Sequence, residues 1–270
     1  MAIKHSVIIK YSTIFMLFIS SSLHSQLKTV VIDPGHGGKD VALEHPDAPG
    51  APGVFSLEKD INLAVSLKLG AIIEEWYPYV NVVYTRKTDI GVFLSERSAI
   101  SNTNNADLFI SIHANADKTK SARGSETYIL GLDKLQDNFA VVMRENSAIL
   151  AEDDYETKYE GFDNSPESYI IFNLIQNIYM ENSLKMAEFI QEEFQNGPIT
   201  HDRGVKQGPF LVLRETACPS VLIELGFISN PEEEKILNDP TSQQEMVECI
   251  FKAFKRYKEY IDEKTLDKNL

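Results

Sequence analysis

VVIDPGHGGK, residues 30–39, is the stretch from which the rest of the chain can be read. Val30, Val31 and Ile32 make a β-branched apolar run, the pattern of a strand buried on both faces. Asp33, Pro34 and Gly35 cut that run off, and His36 follows between glycines, so the strand is expected to end in a tight, open loop. A histidine delivered there sits where a sheet presents side chains to a ligand.

Working outward, residues 41–53 carry three prolines and two glycines and read as irregular chain. They lead to Ser56, an expected N-cap, and to LEKDINLAVSLKLGAIIEEW. There Leu57, Ile61, Val65, Leu69, Ile72 and Trp76 recur at helical spacing, with Glu58 in the first turn. NVVYT (81–85) reads as a short strand, FLSERSAISN (93–102) as a helix, and ADLFISIHA (106–114) as an apolar strand whose last residues include His113. GSETYIL (124–130) alternates as a further strand. Strands and helices in alternation predict an α/β sheet covered on both faces.

From residue 131 to about 180 the pattern loosens. Residues 133–150 read as one helix, and AEDDYETKYEGFDNSPES is acidic and punctuated by Pro and Gly, so 131–180 reads as an insertion into the fold. A helix is expected from Asn177 to Phe194, a short strand around Phe210 to Leu213, a strand over PSVLIE (219–224), and terminal helices over 229–237 and 242–262. No internal repeat interrupts this order, which predicts a single domain over residues 26–270.

Composition bounds the function. The chain has 270 residues, 43% hydrophobic and 24% charged, enough to bury one substantial core. A net charge of −14 argues against nucleic acid or an anionic membrane surface as partner. Lys4, His5 and Lys10 precede a short apolar run (14–19) and a Ser-rich segment ending near Ser25. Residues 1–25 therefore read as a cleavable secretory signal, and the apolar run is too short for a stable membrane anchor. The expected product is exported, periplasmic or cell-wall associated. Cys218 and Cys249 are the only cysteines, too few for a disulfide scaffold or a thiolate metal site, although one bond between them is allowed by an oxidising compartment.

Three strand ends carry an unusual residue: His36, His113 and Glu224. In open α/β sheets ligands bind outside the carboxyl ends of the strands, where these three can converge, and the irregular loop allows Glu58 to return toward His36. Two imidazoles and a carboxylate are a frequent set for catalytic zinc, leaving a position for water and a further carboxylate to act on it. Each residue also has a plainer role open to it. Either histidine can be structural, and Glu58 suits a helix N-terminus without any metal. Glu224 is the hardest to explain that way, because a carboxylate ending a buried apolar run must be paired, metal-bound or functional.

The segments VVIDPGHGGKD, EKDINLAVSLKLG, TRKTDIGVFLSERSAISN, ADLFISIHANA, GSETYIL and VLRETACPSVLIELGFISNPEEEKIL together resemble the zinc-dependent N-acetylmuramoyl-L-alanine amidases of bacterial cell separation (the amidase 3 family). The resemblance runs in order over nearly the whole chain after residue 26. It implies a mixed, mostly parallel six-stranded sheet flanked by helices, one zinc ion on His36, Glu58 and His113, and Glu224 as the catalytic glutamate. It implies peptidoglycan as substrate, cut between N-acetylmuramic acid and L-alanine, in cell-wall turnover and daughter-cell separation. The chain departs from the plainest members in its Pro-rich loop and its insertion. The latter resembles a segment whose helix covers the active site until an activator protein moves it, and acidic residues within 145–180 are suited to cap a cationic metal. Arg97 and Arg214 are candidates for structural pairing or for the acidic stem peptide, with the structural role expected for Arg97. A monomer is expected. Another exported zinc peptidase, carboxypeptidase-like, and a non-catalytic wall-binding module are the alternative readings.

Overall fold

The computed structural model describes residues 27–38, 50–131, 135–146 and 166–268. The leader reading of residues 1–25, most of the Pro-rich loop and residues 147–165 of the insertion lie outside the described residues.

Six strands form one sheet in the order β2-β1-β3-β6-β4-β5: β1 Thr29–Pro34, β2 Asn81–Tyr84, β3 Leu108–Asn115, β4 Ser125–Leu130, β5 Asp202–Gly208 and β6 Ser220–Phe227. β1, β2, β3 and β6 run parallel; β4 opposes β6, and β5 follows β4 in parallel. The mixed, mostly parallel six-stranded sheet is thus as expected. β3 and β6 are buried along their whole length, which is why they read as unbroken apolar runs. The insertion of β6 between β3 and β4 places Glu224 in register with His113 on one side and Glu126 on the other. Residues in register share a face of the sheet, so the three side chains form a row.

Among the described residues seven helices cover the sheet: α1 Glu58–Trp76, α2 Leu94–Thr103, α3 Leu135–Asn146, α4 Pro166–Phe194, α5 Leu211–Arg214, α6 Pro231–Asn238 and α7 Pro240–Lys268. Ile61, Val65, Leu69 and Ile73 recur every fourth residue of α1 and are buried against the sheet and against Ile250 and Phe254 of α7 in the larger core cluster. A smaller cluster on the other face joins Val31, Phe109, Tyr128 and Leu222 to Val142 of α3 and to Phe210, Val212 and Leu213.

Three expectations are corrected. Ser56 does not cap α1; its hydroxyl donates to Glu234 Oε1 at 2.9 Å, which also accepts from the amides of Phe55 and Ser56, and Leu57 takes the cap position. The helix expected from Asn177 is already present at Pro166, the first described residue after 165, and runs to Phe194. The strand expected at Phe210–Leu213 is a helical turn, while the strand itself lies earlier, over Asp202–Gly208. β5 is a half-exposed edge strand, so its sequence is polar, and Pro209 then ends the ladder. Both cysteines are free and buried, so no bond joins them. Among the described residues no helix is long and apolar enough to cross a membrane.

Candidate metal centre

The loop that carries His36 is held from beneath by two buried guanidinium groups. Arg86 donates to the carbonyls of Pro34 (2.9 Å), Gly35 (2.9 Å) and Lys59 (2.8 Å). Arg97 donates to Asp33 Oδ1 (2.6 Å) and to the carbonyls of Pro34 (2.9 Å) and His36 (3.0 Å). Asp33 also accepts from Thr85 and Ser111. Burial works to protonate Asp33, but Arg97 and the two hydroxyls outweigh it and hold its pKa below the usual value. The backbone at His36 is left-handed (φ 59°), a conformation that costs a non-glycine residue energy and persists only where neighbours enforce it. Arg97 therefore has the structural role expected of it, and Arg214 lies beside Glu215 at 3.4 Å.

Two glycines let the candidate ligands close. A side chain at Gly35 would collide with the His113 ring, and one at Gly50 would collide with the carboxylate of Glu58 and the His36 ring. Glu58 opens α1 but does not serve the ends of its own helix. Its Oε2 accepts from the amide of Ala51 (2.7 Å) and its Oε1 from the amide of Ala114 (3.1 Å), which turns the carboxylate toward the histidines.

His36, Glu58 and His113 converge, and Glu145 of α3 joins them; one donor atom from each lies within 4.8 Å of all the others. His36 Nε2 is 3.2 Å from Glu58 Oε1 and 3.1 Å from Glu145 Oε2, and His113 Nδ1 is 3.1 Å from both. His113 Nδ1 is hydrogen-bonded to Glu58 Oε1 at 3.1 Å, and Glu145 Oε2 lies equally close to both imidazoles, so the four groups crowd one point. Donors about 2.0 Å from a tetrahedral ion stand about 3.3 Å apart, close to these separations. The residue set and its spacing fit a metal ion.

The electrostatics agree. Burial opposes protonation of both imidazoles, yet Glu58 and Glu145 outweigh it, raising His36 to about 9 and His113 to about 10. The histidines in turn hold Glu58 low against its burial, and Arg144 and the histidines do the same for Glu145. Two ionised carboxylates thus call for two positive charges, which two protons or one divalent cation can supply.

Glu224 stands one strand from His113, fully buried, with Oε2 lacking a hydrogen bond and Oε1 only 3.4 Å from Arg144 Nη2. Burial raises its pKa well above the usual carboxylate value. Such a group takes up a proton readily, as a general base should. α3 seats Glu145 through Val142 in the smaller core and through Asn146, whose Nδ2 donates to the Pro209 carbonyl (2.9 Å) and whose Oδ1 accepts from the Leu211 amide (2.9 Å). Sequence reasoning named 145–180 as a segment able to cap a metal without singling out Glu145. A glutamate near the end of a helical pattern has no local mark that distinguishes it from a surface residue.

A family model described as N-acetylmuramoyl-L-alanine amidase matches residues 30–256. The N-acetylmuramoyl-L-alanine amidase AmiC of Escherichia coli O6:H1 is 32% identical over 234 residues, covering 84% of this chain and 52% of its own length, so the chain spans about half of that relative. AmiA of Escherichia coli K12 is 30% identical over 237 residues, covering 87% of this chain and 78% of its own length. Among solved structures, the N-acetylmuramoyl-L-alanine amidase of Clostridium difficile 630 superposes with a TM-score of 0.61 at 28% identity, covering 86% of this chain and 97% of that one. The CwlD amidase of Clostridioides difficile, solved in complex with the GerS lipoprotein, superposes equally well (TM-score 0.61, 26% identity, 85% and 98% covered).

Proposed function

Because the chain belongs to the N-acetylmuramoyl-L-alanine amidase family, we propose that it hydrolyses the amide between the lactyl group of N-acetylmuramic acid and the L-alanine of the peptidoglycan stem peptide. The observation that carries this reading is the convergence of His36, Glu58 and His113 beside Glu224, the residue in register with His113. His36, Glu58 and His113 would hold one zinc ion. Zinc supplies Lewis acidity at the scissile carbonyl and a water whose pKa falls to roughly 7. Glu224 takes the proton of that water on its carboxylate and returns it to the departing alanine nitrogen. The buried Asp33, Arg86 and Arg97 keep the His36 loop fixed while this happens.

Glu145 adds regulation. Structural zinc sites are closed by four protein ligands, whereas catalytic ones leave a position open for water. With Glu145 in place the set is closed, and Arg144 lies beside the base. We read this as a resting state: the helix α3, within the inserted residues 131–180, withdraws when an activator protein engages it. The lipoprotein complex of CwlD supports a protein partner for enzymes of this fold. An export signal over residues 1–25, a periplasmic or cell-wall location and a role in cell separation complete the proposal. A wall-binding module with a purely structural metal is the second reading, favoured by the closed set. The buried, poorly paired carboxylate of Glu224 speaks against it, since a relic site has no use for that cost.

Metal analysis tests the assignment. The chain should carry one zinc per molecule, His36→Ala and His113→Ala should lose it, and Glu224→Ala should keep it while losing turnover. Full metal occupancy in His113→Ala would refute the ligand set.

A further inference from the structure

The row that starts with His113 and Glu224 continues across the sheet to Glu126 on β4 and ends at two cations on β5. Glu126 is buried, and both of its oxygens are engaged. Oε1 accepts from Asn115 Nδ2 (2.6 Å) and Tyr128 OH (2.8 Å); Oε2 accepts from Arg203 Nε (2.6 Å) and Lys206 Nζ (2.5 Å). Burial would raise its pKa, but Lys206 and Arg203 keep it low and ionised. One carboxylate is thus hydrogen-bonded to two cations, and Asp117 is a second carboxylate whose charge acts on Arg203, so Lys206 is the cation with no other carboxylate described against it. The cations are not sealed in: the side chains of Arg203 and Lys206 are 32% and 22% exposed, against 1% for Glu126. A guanidinium has five N–H donors and an ammonium three. The described bonds occupy Arg203 Nε and Nη1 and one donor of Lys206.

We propose that Arg203 and Lys206 are specificity-determining residues that receive a carboxylate of the stem peptide, on the peptide side of the scissile amide. This rests on the amidase reading above. Adjacent strands lie about 4.8 Å apart, so Glu126 on β4 is about 5 Å from Glu224 and about 10 Å from His113, while the β5 backbone that carries Arg203 and Lys206 is about 14 Å from His113 and their long side chains reach back to Glu126. An extended peptide advances about 3.5 Å per residue, which puts the second residue's carboxylate about 7 Å beyond the scissile bond, within reach of the pair. That second residue is a glutamate whose α-carboxyl is free in some cell walls and amidated in others. A site that keeps unused cationic donors at this distance separates the two forms, because only the free acid offers an anion to them.

The test is equilibrium binding to the zinc-loaded full chain carrying Glu145→Ala and Glu224→Gln, which opens the site and prevents turnover. The two probes are N-acetylmuramoyl-L-alanyl-D-glutamate and its D-isoglutamine counterpart, each with the γ-carboxyl blocked as its methylamide, so that they differ only in the α-carboxyl and the amide probe carries no anion. The expected result is binding of the free acid at least tenfold tighter. Adding Lys206→Gln should reduce the preference to below twofold while leaving the affinity for the amide within twofold, and Lys206→Arg should keep the preference. Lys206→Gln leaves Arg203 on Glu126, so the buried carboxylate retains a partner. Equal affinity for both probes, no saturable binding of either, or an equal loss for both in Lys206→Gln would overturn the proposal. Selective binding in a protein whose Glu145→Ala parent releases no L-alanyl peptide would instead count against the amidase reading alone.

Discussion

Glu145→Ala probes how the resting state is held. The carboxylate faces the imidazoles of His36 and His113 at 3.1 Å and Arg144 Nη2 at 2.6 Å, all three groups being part of the candidate site. A hydrogen bond or ligation involving a charged group contributes about 1.5–3 kcal/mol, and every 1.4 kcal/mol is a tenfold change in an equilibrium, so removing Glu145 should shift the balance between covered and open site by about 10- to 150-fold. The lower half of that range is the better figure. Asn146 still ties the helix end to Pro209 and Leu211, and Val142 still packs in the core, so α3 keeps anchors that do not depend on Glu145. The assay is release of L-alanyl peptides from purified sacculi by the full chain alone, with zinc content measured on the same samples. A rise of roughly tenfold or more at unchanged zinc stoichiometry is the expected outcome. Unchanged activity with zinc retained would refute the covering role and leave Glu145 as an ordinary fourth ligand.

Removing the metal should make stability depend on pH. In the metal-free chain His36 and His113 have folded-state pKa values of about 9 and 10 against a reference of 6.5, so folding is linked to proton uptake between these values. Their stabilisation is complete below pH 6.5 and is lost as pH rises through 9 and 10. The Tm of chelator-treated protein should therefore fall across that interval, while the zinc-loaded protein, whose imidazoles hold metal instead of protons, should show a much flatter profile. Arg97→Met leaves Asp33 buried and short of a cation, which should cost about 3–5 kcal/mol by urea unfolding. Arg97→Lys should recover only part of that loss, since an ammonium cannot span Asp33 and the carbonyls of Pro34 and His36 together.

The legible parts of this molecule are those in which burial leaves a periodic trace. β1, β3 and β6 are buried on both faces and read as apolar runs, and α1 shows its core stripe every fourth residue. Because a sheet gathers its strand ends at one edge, His36, His113 and Glu224 could be grouped from their positions alone, and the family resemblance then assigned their roles. β5 escaped because an edge strand that serves Glu126 with Arg203 and Lys206 must be polar. The place of Glu145 was hidden because it depends on how α3 docks. That docking is a tertiary fact carried by Asn146 and Val142, not by any local pattern.

In the proposed function Glu224 is the base for zinc-assisted cleavage of the muramoyl–alanine amide. Mass spectrometry of sacculi digested with the zinc-loaded Glu145→Ala chain, and with the same chain carrying Glu224→Gln, tests it most directly. Glycan fragments bearing a free lactyl carboxyl and peptides beginning with L-alanine are expected from the first protein, and almost none from the second at equal zinc content. Cleavage at any other bond, or near-normal products from the Glu224→Gln protein, would contradict it.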